Sequence, residues 1–322
     1  MTGQPQTPPV TARSLQHEAD FWRVRDLLIA TYAATPLGFN WEIRRWDGSR
    51  FHNATDDWLA RSARLVQLWE TAAGQLVGVV NPEGEGNAHL QLHPDFRALE
   101  PAMVAWAEEQ LAVPNAEGLR QLEIFVFDYD TPRQQLLQSR GYLPMSYGGA
   151  TRRLRLADHH EEPTGLAAGY RLATTQPEVL ANCQRIADLL NAAFNRDFHT
   201  AIEVQNFTRA APCFRPELDL VAVAPDESFA AYVGIAYDEV NGHAIFEPVC
   251  THPDHRRHGL ARSLMIEGIQ RLKALGAVDV TVDTGDMIPA NRLYDSIGFT
   301  EVCLGHVWRK EFWPSLPREV DR

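Results

Sequence analysis

The sequence nearly repeats itself, which restricts the chain to folds that can be built twice. His93-Pro94-Asp95 returns as His252-Pro253-Asp254. Thr131-Pro132-Arg133-Gln134-Gln135-Leu136-Leu137, ahead of Arg140-Gly141-Tyr142, returns as Ile288-Pro289-Ala290-Asn291-Arg292-Leu293-Tyr294 ahead of Ile297-Gly298-Phe299. From histidine to turn glycine the separation is 48 residues in the first half and 46 in the second. Parallel spacing over that distance indicates a duplicated structural unit.

Hydrophobic periodicity fills in both copies. In the first half it predicts a helix over 19–32, a hairpin of strands 64–70 and 75–81 around Gly74, and a strand over 88–92. A helix near 98–112 and a strand over 122–127 follow. The second half reads as a helix over 179–194, strands over 218–224, 230–238 and 244–251, a helix over 260–275 and a strand over 278–282. Residues 157–168 have no period and include His159-His160-Glu161-Glu162, so they read as a solvated linker. The expected architecture is α/β (α+β in detail), with two tandem domains, each a mixed, mostly antiparallel sheet flanked by helices. Their expected bounds are a disordered lead-in at 1–10, a first domain at 11–156, the linker, and a second domain at 169–322.

Composition narrows the function. The chain has 322 residues, 45% hydrophobic and 22% charged, as in a globular protein of two domains. No apolar run approaches the ~20 residues that span a bilayer. Residues 2–10 are polar and proline-rich, without a signal-peptide core. Cys183, Cys213, Cys250 and Cys303 form no C-x-x-C pair, so reduced thiols and a cytoplasmic location are expected. A net charge of −12 argues against nucleic acid as a partner. It suits a cationic amine, though the same charge also serves solubility.

The second half carries a phosphate-binding pattern. The apolar segment 244–249 runs into Cys250-Thr251-His252, then a basic turn with Arg256, Arg257, His258 and Gly259, then a helix opening Leu260-Ala261-Arg262. Free N–H groups and the dipole at a helix N-terminus favour an anion, and glycine allows close backbone approach. His252, His255 and His258 recur every three residues, but Pro253 keeps them off one helical face, so no metal is expected.

The spacing Arg256-x-x-Gly259-x-Ala261 resembles the Arg/Gln-x-x-Gly-x-Gly/Ala signature of GNAT-family N-acetyltransferases. About 40 residues on, Asn291 and Tyr294 before Ile297-Gly298-Phe299 resemble that family's second signature. The resemblance covers 169–310, and the duplicated layout is similar to the tandem-GNAT arrangement of mycothiol synthases.

That resemblance implies acetyl-CoA as cosubstrate and direct transfer, in a ternary complex, to a primary amine of a small molecule, with no nucleophilic side chain required. It implies that the backbone of Val249, Cys250 and Thr251 receives the pantetheine arm and polarises the thioester. It implies that Arg256, Arg257, His258, Gly259, Leu260, Ala261 and Arg262 cradle the pyrophosphate. Asn291 would contact or position the cosubstrate, and Tyr294 would act as general acid. Glu247, a carboxylate within an apolar strand and on the same strand face as Val249 and Thr251, is the candidate base. A structural ion pair and simple recognition of substrate charge are its alternatives. Asp197, His199 and Glu203 stand in the expected acceptor segment. In the first half, Ala98-Leu99-Glu100-Pro101 replaces the basic glycine turn and Leu137 replaces the tyrosine, so that copy is expected to be non-catalytic. A non-catalytic acyl-CoA-binding or regulatory module and a protein-amine acetylase are the alternative functions. A monomer or homodimer is expected, with no membrane partner. The tryptophans at 22, 41, 46, 58, 69 and 106 are assigned to core packing, and Trp308 and Trp313 to a docking tail.

Overall fold

The structure is a computed structural model that describes residues 9–52, 57–160, 162–285 and 287–312. Its first half contains β1 (Val10–Ser14), α1 (Glu18–Tyr32), α2 (Ile43–Phe51), α3 (Trp58–Leu65), β2 (Gln67–Thr71) and β3 (Leu76–Asn81). It continues with β4 (Asn87–Leu92), α4 (Glu100–Gln110), β5 (Val113–Pro114), β6 (Arg120–Phe127), α5 (Thr131–Ser139) and β7 (Leu143–Arg155). The second half contains β8 (Arg171–Thr174), α6 (Leu180–Phe194), α7 (Ala201–Ala210), β9 (Leu220–Val223), β10 (Phe229–Asp238) and β11 (His243–Thr251). It ends with α8 (Leu260–Ala274), β12 (Asp279–Thr284), α9 (Ile288–Ile297) and β13 (Glu301–Phe312). None of the described helices is long and apolar enough to cross a membrane. Trp313 and most of the expected lead-in lie outside the described residues. Val10, placed in that lead-in, instead begins β1, whose register runs from Val10 opposite Thr71 to Ser14 opposite Gln67.

The compact units do not follow the expected bounds 11–156 and 169–322. One comprises 1–27, 59–148 and 304–322, and the other 28–58 and 149–303. In the first unit β1, β2, β3 and β4 pair antiparallel in turn, and β4 pairs parallel with β6. The next strand against β6 is β13, with Gly305 opposite Phe127 and Phe312 opposite Arg120. Trp308 of the expected tail thereby stands opposite Ile124 as a sheet residue.

The second unit repeats that order. β8, β9, β10 and β11 pair antiparallel in turn, and β11 pairs parallel with β12. The strand beyond β12 is β7, with Ala150 opposite Thr284 and Arg155 opposite Asp279. Each half of the sequence therefore supplies the last strand of the other half's sheet. Backbone pairing is indifferent to which copy supplies the strand, so similar side-chain patterns do not reveal the exchange.

The second unit buries apolar side chains on both faces of its sheet. Val233, Ile235 and Phe246 pack with Leu264, Ile269 and Leu272 of α8 and with Tyr294 and Phe299. On the other face Tyr232 and Cys250 pack with Ile186 and Leu190 of α6 and Val204 of α7, and the register shift between Val233 and Ile235 puts Cys250 and Phe246 on opposite faces although both are even-numbered. The segment 28–58 is fastened to this unit by a buried polar group. The Tyr32 ring stacks on His243 with centroids 4.2 Å apart, and its hydroxyl lies 2.7 Å from His243 Nδ1. His243 Nδ1 is also 2.6 Å from Asp279 Oδ1. Farther along, Asp47, fully buried, accepts the Cys213 N–H at 3.2 Å.

α8 approaches the sheet through Gly268. A Cβ there would stand 2.5 Å from Ile235 Cδ1 and 3.1 Å from Phe246 Cε1. Gly268→Ala should lower stability by about 1–3 kcal/mol through overpacking. Urea unfolding checks this, and a variant as stable as the parent would show that the helix can be displaced freely.

Candidate active site

The motif His-Pro-Asp has the same local role in both copies. The His93 ring accepts the Asp95 N–H at 3.3 Å, and the His252 ring accepts the Asp254 N–H at 3.3 Å. Each histidine thus caps the tight turn that follows its strand. What comes next differs. In the second copy Arg257 and Gly259 take left-handed backbone conformations, at φ +66° and +71°, and α8 begins at Leu260. Among the described residues, none of the N–H groups from Arg257 to Arg262 meets a carbonyl. The turn from Arg256 to Gly259 is exposed, Leu260 anchors it in the core, and Ala261 is partly covered.

The charges at this turn are partly engaged. Arg256 donates to the Ala193 carbonyl at 3.2 Å, and Arg262 pairs with Glu162 at 2.5 Å. Of the three histidines, His252 and His255 have ring centroids 5.7 Å apart. The Tyr170 hydroxyl is 3.0 Å from His255 Nδ1, and the Tyr170 ring lies 5.7 Å from the His258 ring. In the first copy, a buried Glu100 stands in the first turn of α4 and takes the Arg97 guanidinium at 2.9 Å and that of Arg133 at 3.2 Å. The same two arginines hold Asp130 at 2.6 and 3.5 Å. Where the second copy has a glycine turn whose N–H groups meet no carbonyl, the first copy has a carboxylate of the chain itself in the first helical turn.

The parallel pairing of β11 with β12 covers only His243–Ile245 against Asp279–Thr281. Beyond Ile245, β11 keeps its partner β10, with Val249 opposite Val233, Cys250 opposite Tyr232 and Thr251 opposite Ala231. Its other edge is left without β12, which leaves backbone groups for an extended ligand. Val249 packs toward the α8 face, whereas Cys250 belongs to the α6 face. Burial pushes the Cys250 thiol up to about 12, so it is a poor nucleophile.

A cavity of about 470 Å³ opens beside this edge, with Glu247, Val249, Asp283 and Tyr294 among its lining. The Tyr294 ring is in the core and no group among the described residues bonds its hydroxyl. Burial, then the charge of Asp283, pushes that hydroxyl up to about 12, against the opposing Arg152. It is thus protonated at neutral pH. Asn291, one turn earlier, accepts from Arg152 Nε at 3.0 Å and donates to the Gly285 carbonyl at 3.1 Å. Its amide nitrogen holds the loop before α9 and its oxygen takes Arg152 of β7, so it ties this wall together.

Glu247 is oriented by a residue from the first half of the sequence. Arg44 of α2 lies 3.4 Å from Glu247 Oε1 and donates through Nε to the Glu247 carbonyl at 3.1 Å. Glu247 Oε2 is buried and has no hydrogen-bond partner. A buried polar atom left so costs about 1–3 kcal/mol, and three more line the same cavity: His52 Nδ1, His199 Nε2 and Asp219 Oδ2. His199 and Glu203 of the expected acceptor segment do reach this cavity, whereas Asp197 is exposed and does not line it. Sequence reasoning missed Arg44, His52, Asp219 and Asp283. The only available signal was polarity inside short apolar contexts, and α2 has little amphipathic pattern of its own.

Buried carboxylates crowd around Asp283, which lines the cavity. Asp283 accepts from Thr151 Oγ1 at 2.6 Å and from Arg45 at 2.9 Å, and burial raises its pKa. Glu42 is pushed up to about 8 by burial, then by the charges of Asp283 and Glu247, with Arg45 opposing. Unfolded, it ionises near its ordinary 4.5, so folding takes up a proton between the two values. The stability it contributes is present at low pH and lost as pH rises through that window. The melting temperature of Glu42→Gln, relative to the parent, should therefore climb between about pH 5 and about pH 9. A flat difference would show Glu42 ionised in the fold.

Residues 183–299 match the sequence model of the acetyltransferase (GNAT) family. No curated protein sequence matches the chain. Among solved structures, a tandem GNAT protein from the clavulanic acid biosynthesis pathway is similar over 96% of this chain and 100% of its own, with a TM-score of 0.67 at 18% identity. A GCN5-related N-acetyltransferase from Sphaerobacter thermophilus is similar over 96% and 98%, with a TM-score of 0.62 at 20% identity. The N-myristoyltransferase of Saccharomyces cerevisiae, solved with myristoyl-CoA and inhibitors, follows at 0.55 and 11% identity over 96% and 82%. The fold is therefore that of tandem GNAT proteins, and residues 183–299 form the part of the chain that matches the GNAT acetyltransferase family.

Proposed function

We propose that this chain transfers the acetyl group of acetyl-CoA directly to a primary amine of a small molecule, both substrates being bound together. The observation that carries this reading is the pairing of two unengaged groups in one cavity, the Tyr294 hydroxyl and Glu247 Oε2, beside the open edge of β11. The exposed turn from Arg256 to Gly259 and the first turn of α8 supply N–H groups and positive charge for the pyrophosphate. Val249, Cys250 and Thr251 offer the strand edge for the pantetheine arm.

In this mechanism the amine nitrogen attacks the thioester carbon. Glu247 accepts the proton the amine must lose, directly or through a water. Asp283 suits that task less, because both of its oxygens are already bonded by Thr151 and Arg45. As the tetrahedral intermediate collapses, the carbon–sulfur bond breaks and Tyr294 donates its proton to the departing thiolate. Arg44 holds the other carboxylate oxygen, Oε1, and so leaves Oε2 without a partner. The first copy, with Glu100 closing its helix start, is assigned no cosubstrate.

CoA release from acetyl-CoA across a panel of amines tests the reading. Tyr294→Phe should lower kcat by about 100-fold or more while acetyl-CoA affinity changes less than about twofold. Glu247→Gln should lose a similar factor and regain rate as rising pH deprotonates the amine. Tight acetyl-CoA binding with no release on any amine would overturn transfer in favour of a binding module, and full activity of Glu247→Gln would remove it from the reaction. Calorimetry should find one CoA bound per chain, and two would show that the first copy is open.

A further inference from the structure

Part of the cavity lining consists of groups that the transfer chemistry does not use. Glu203 sits in the first turn of α7, where Thr200 and Glu203 form a reciprocal cap that fixes the carboxylate. Its Oε1 lies 3.2 Å from His199 Nδ1 and 3.8 Å from His52 Nδ1. Asn191 of α6 clamps the His199 backbone with two bonds of 3.0 Å, to its N–H and its carbonyl. His52 is held flat against Phe207, with ring centroids 4.2 Å apart and planes 3° from parallel. The result is a rigid set with two imidazole nitrogens, His52 Nδ1 and His199 Nε2, buried and unbonded. Asp219, 2% exposed, adds an unbonded Oδ2 to the same lining while Tyr232 donates to its other oxygen at 2.6 Å.

We propose that His52, His199 and Glu203 recognise hydroxyl groups of the acceptor, which is an amino alcohol or amino sugar rather than a polyamine or an amino acid. The inference rests on the amine-transfer reading and deepens it. Three chemistries could satisfy buried nitrogens and carboxylates, and the surroundings separate them. A second ammonium group offers only donors, so it could serve the carboxylates but not a ring N–H, and it would stand near Arg44, whose guanidinium lies 5.3 Å from the centre of the same Phe207 ring. A carboxylate would meet Glu203, Asp219 and Glu247 in one small space. A hydroxyl both donates and accepts, and it carries no charge. It therefore pairs with a neutral imidazole in either tautomer and with the carboxylate between the two rings. Burial, then Arg44 and His199, pushes His52 down to about 3, so its ring is neutral.

Calorimetry with matched six-carbon probes tests the proposal: 1-amino-1-deoxysorbitol against hexylamine, diaminohexane and aminohexanoate, and glucosamine against cyclohexylamine. At least one hydroxylated probe should bind at least about tenfold more tightly than its counterpart without hydroxyls, because unpaired buried groups penalise the latter. His52→Phe keeps the stack on Phe207, and it and His199→Leu should each reduce that preference to below about threefold. Circular dichroism and melting temperature establish that both variants are folded, and His52→Phe alone decides the matter if His199→Leu is not. Equal or tighter binding of the diamine, the amino acid or the plain amine, no binding of any probe, or an undiminished preference in His52→Phe would overturn the proposal. CoA release with the same probes keeps the two readings apart. Release without a hydroxyl preference leaves acetyl transfer standing and removes this site. Selective binding of a hydroxylated probe without release does the reverse.

Discussion

The second unit depends on a short parallel register that stops early. Three residues of β11, His243–Ile245, face three of β12, Asp279–Thr281, and then the strands part. The start of that register is fixed by the buried contact of His243 with Asp279 and with Tyr32, groups that would be costly to bury unpaired. Parting leaves one edge of β11 unpaired, and the cavity with Glu247 and Tyr294 opens there. Were the pairing to continue, the strand edge offered to an extended ligand would be consumed by the sheet itself.

The two copies show how one fold separates structure from chemistry. The histidine that caps its own turn does so in both, so the most visible repeat in the sequence is a folding device. The two copies differ in the few residues after it. Arg256 to Gly259 leave a helix start exposed and positively charged, whereas Glu100 in the first copy is buried between Arg97 and Arg133. Two carboxylates and two guanidiniums closed on one another make a satisfied interior, and nothing there is left for a diphosphate to neutralise.

Much of this was legible in advance. The strands 88–92, 122–127 and 230–238 and the helices at 19–32, 179–194 and 260–275 fall within a few residues of β4, β6, β10, α1, α6 and α8, because each carries a clear period. Residues 64–66 were read as strand, but α3 runs to Leu65 and β2 starts at Gln67, since the apolar spacing there suits either period. α2 and α7 were not foreseen, although α7 carries Thr200 and Glu203 as a capping pair. The tryptophans expected in one core divide between the units: Trp46 meets Trp58 edge-on in one, Trp69 meets Trp106 in the other, and Trp22 is exposed.

By itself the sequence determined the duplication, the mixed sheets and the one copy with an open, basic helix start. Those follow from local patterns, from spacing and from which residues can occupy a turn. Only the tertiary structure decided that each half donates its last strand to the other unit, and that α2 brings Arg44 and His52 to a cavity some 200 residues away in sequence. Strand exchange uses backbone bonds that any side-chain pattern permits. Which polar atoms end buried without a partner is a property of the assembled packing, and no local stretch of sequence encodes it.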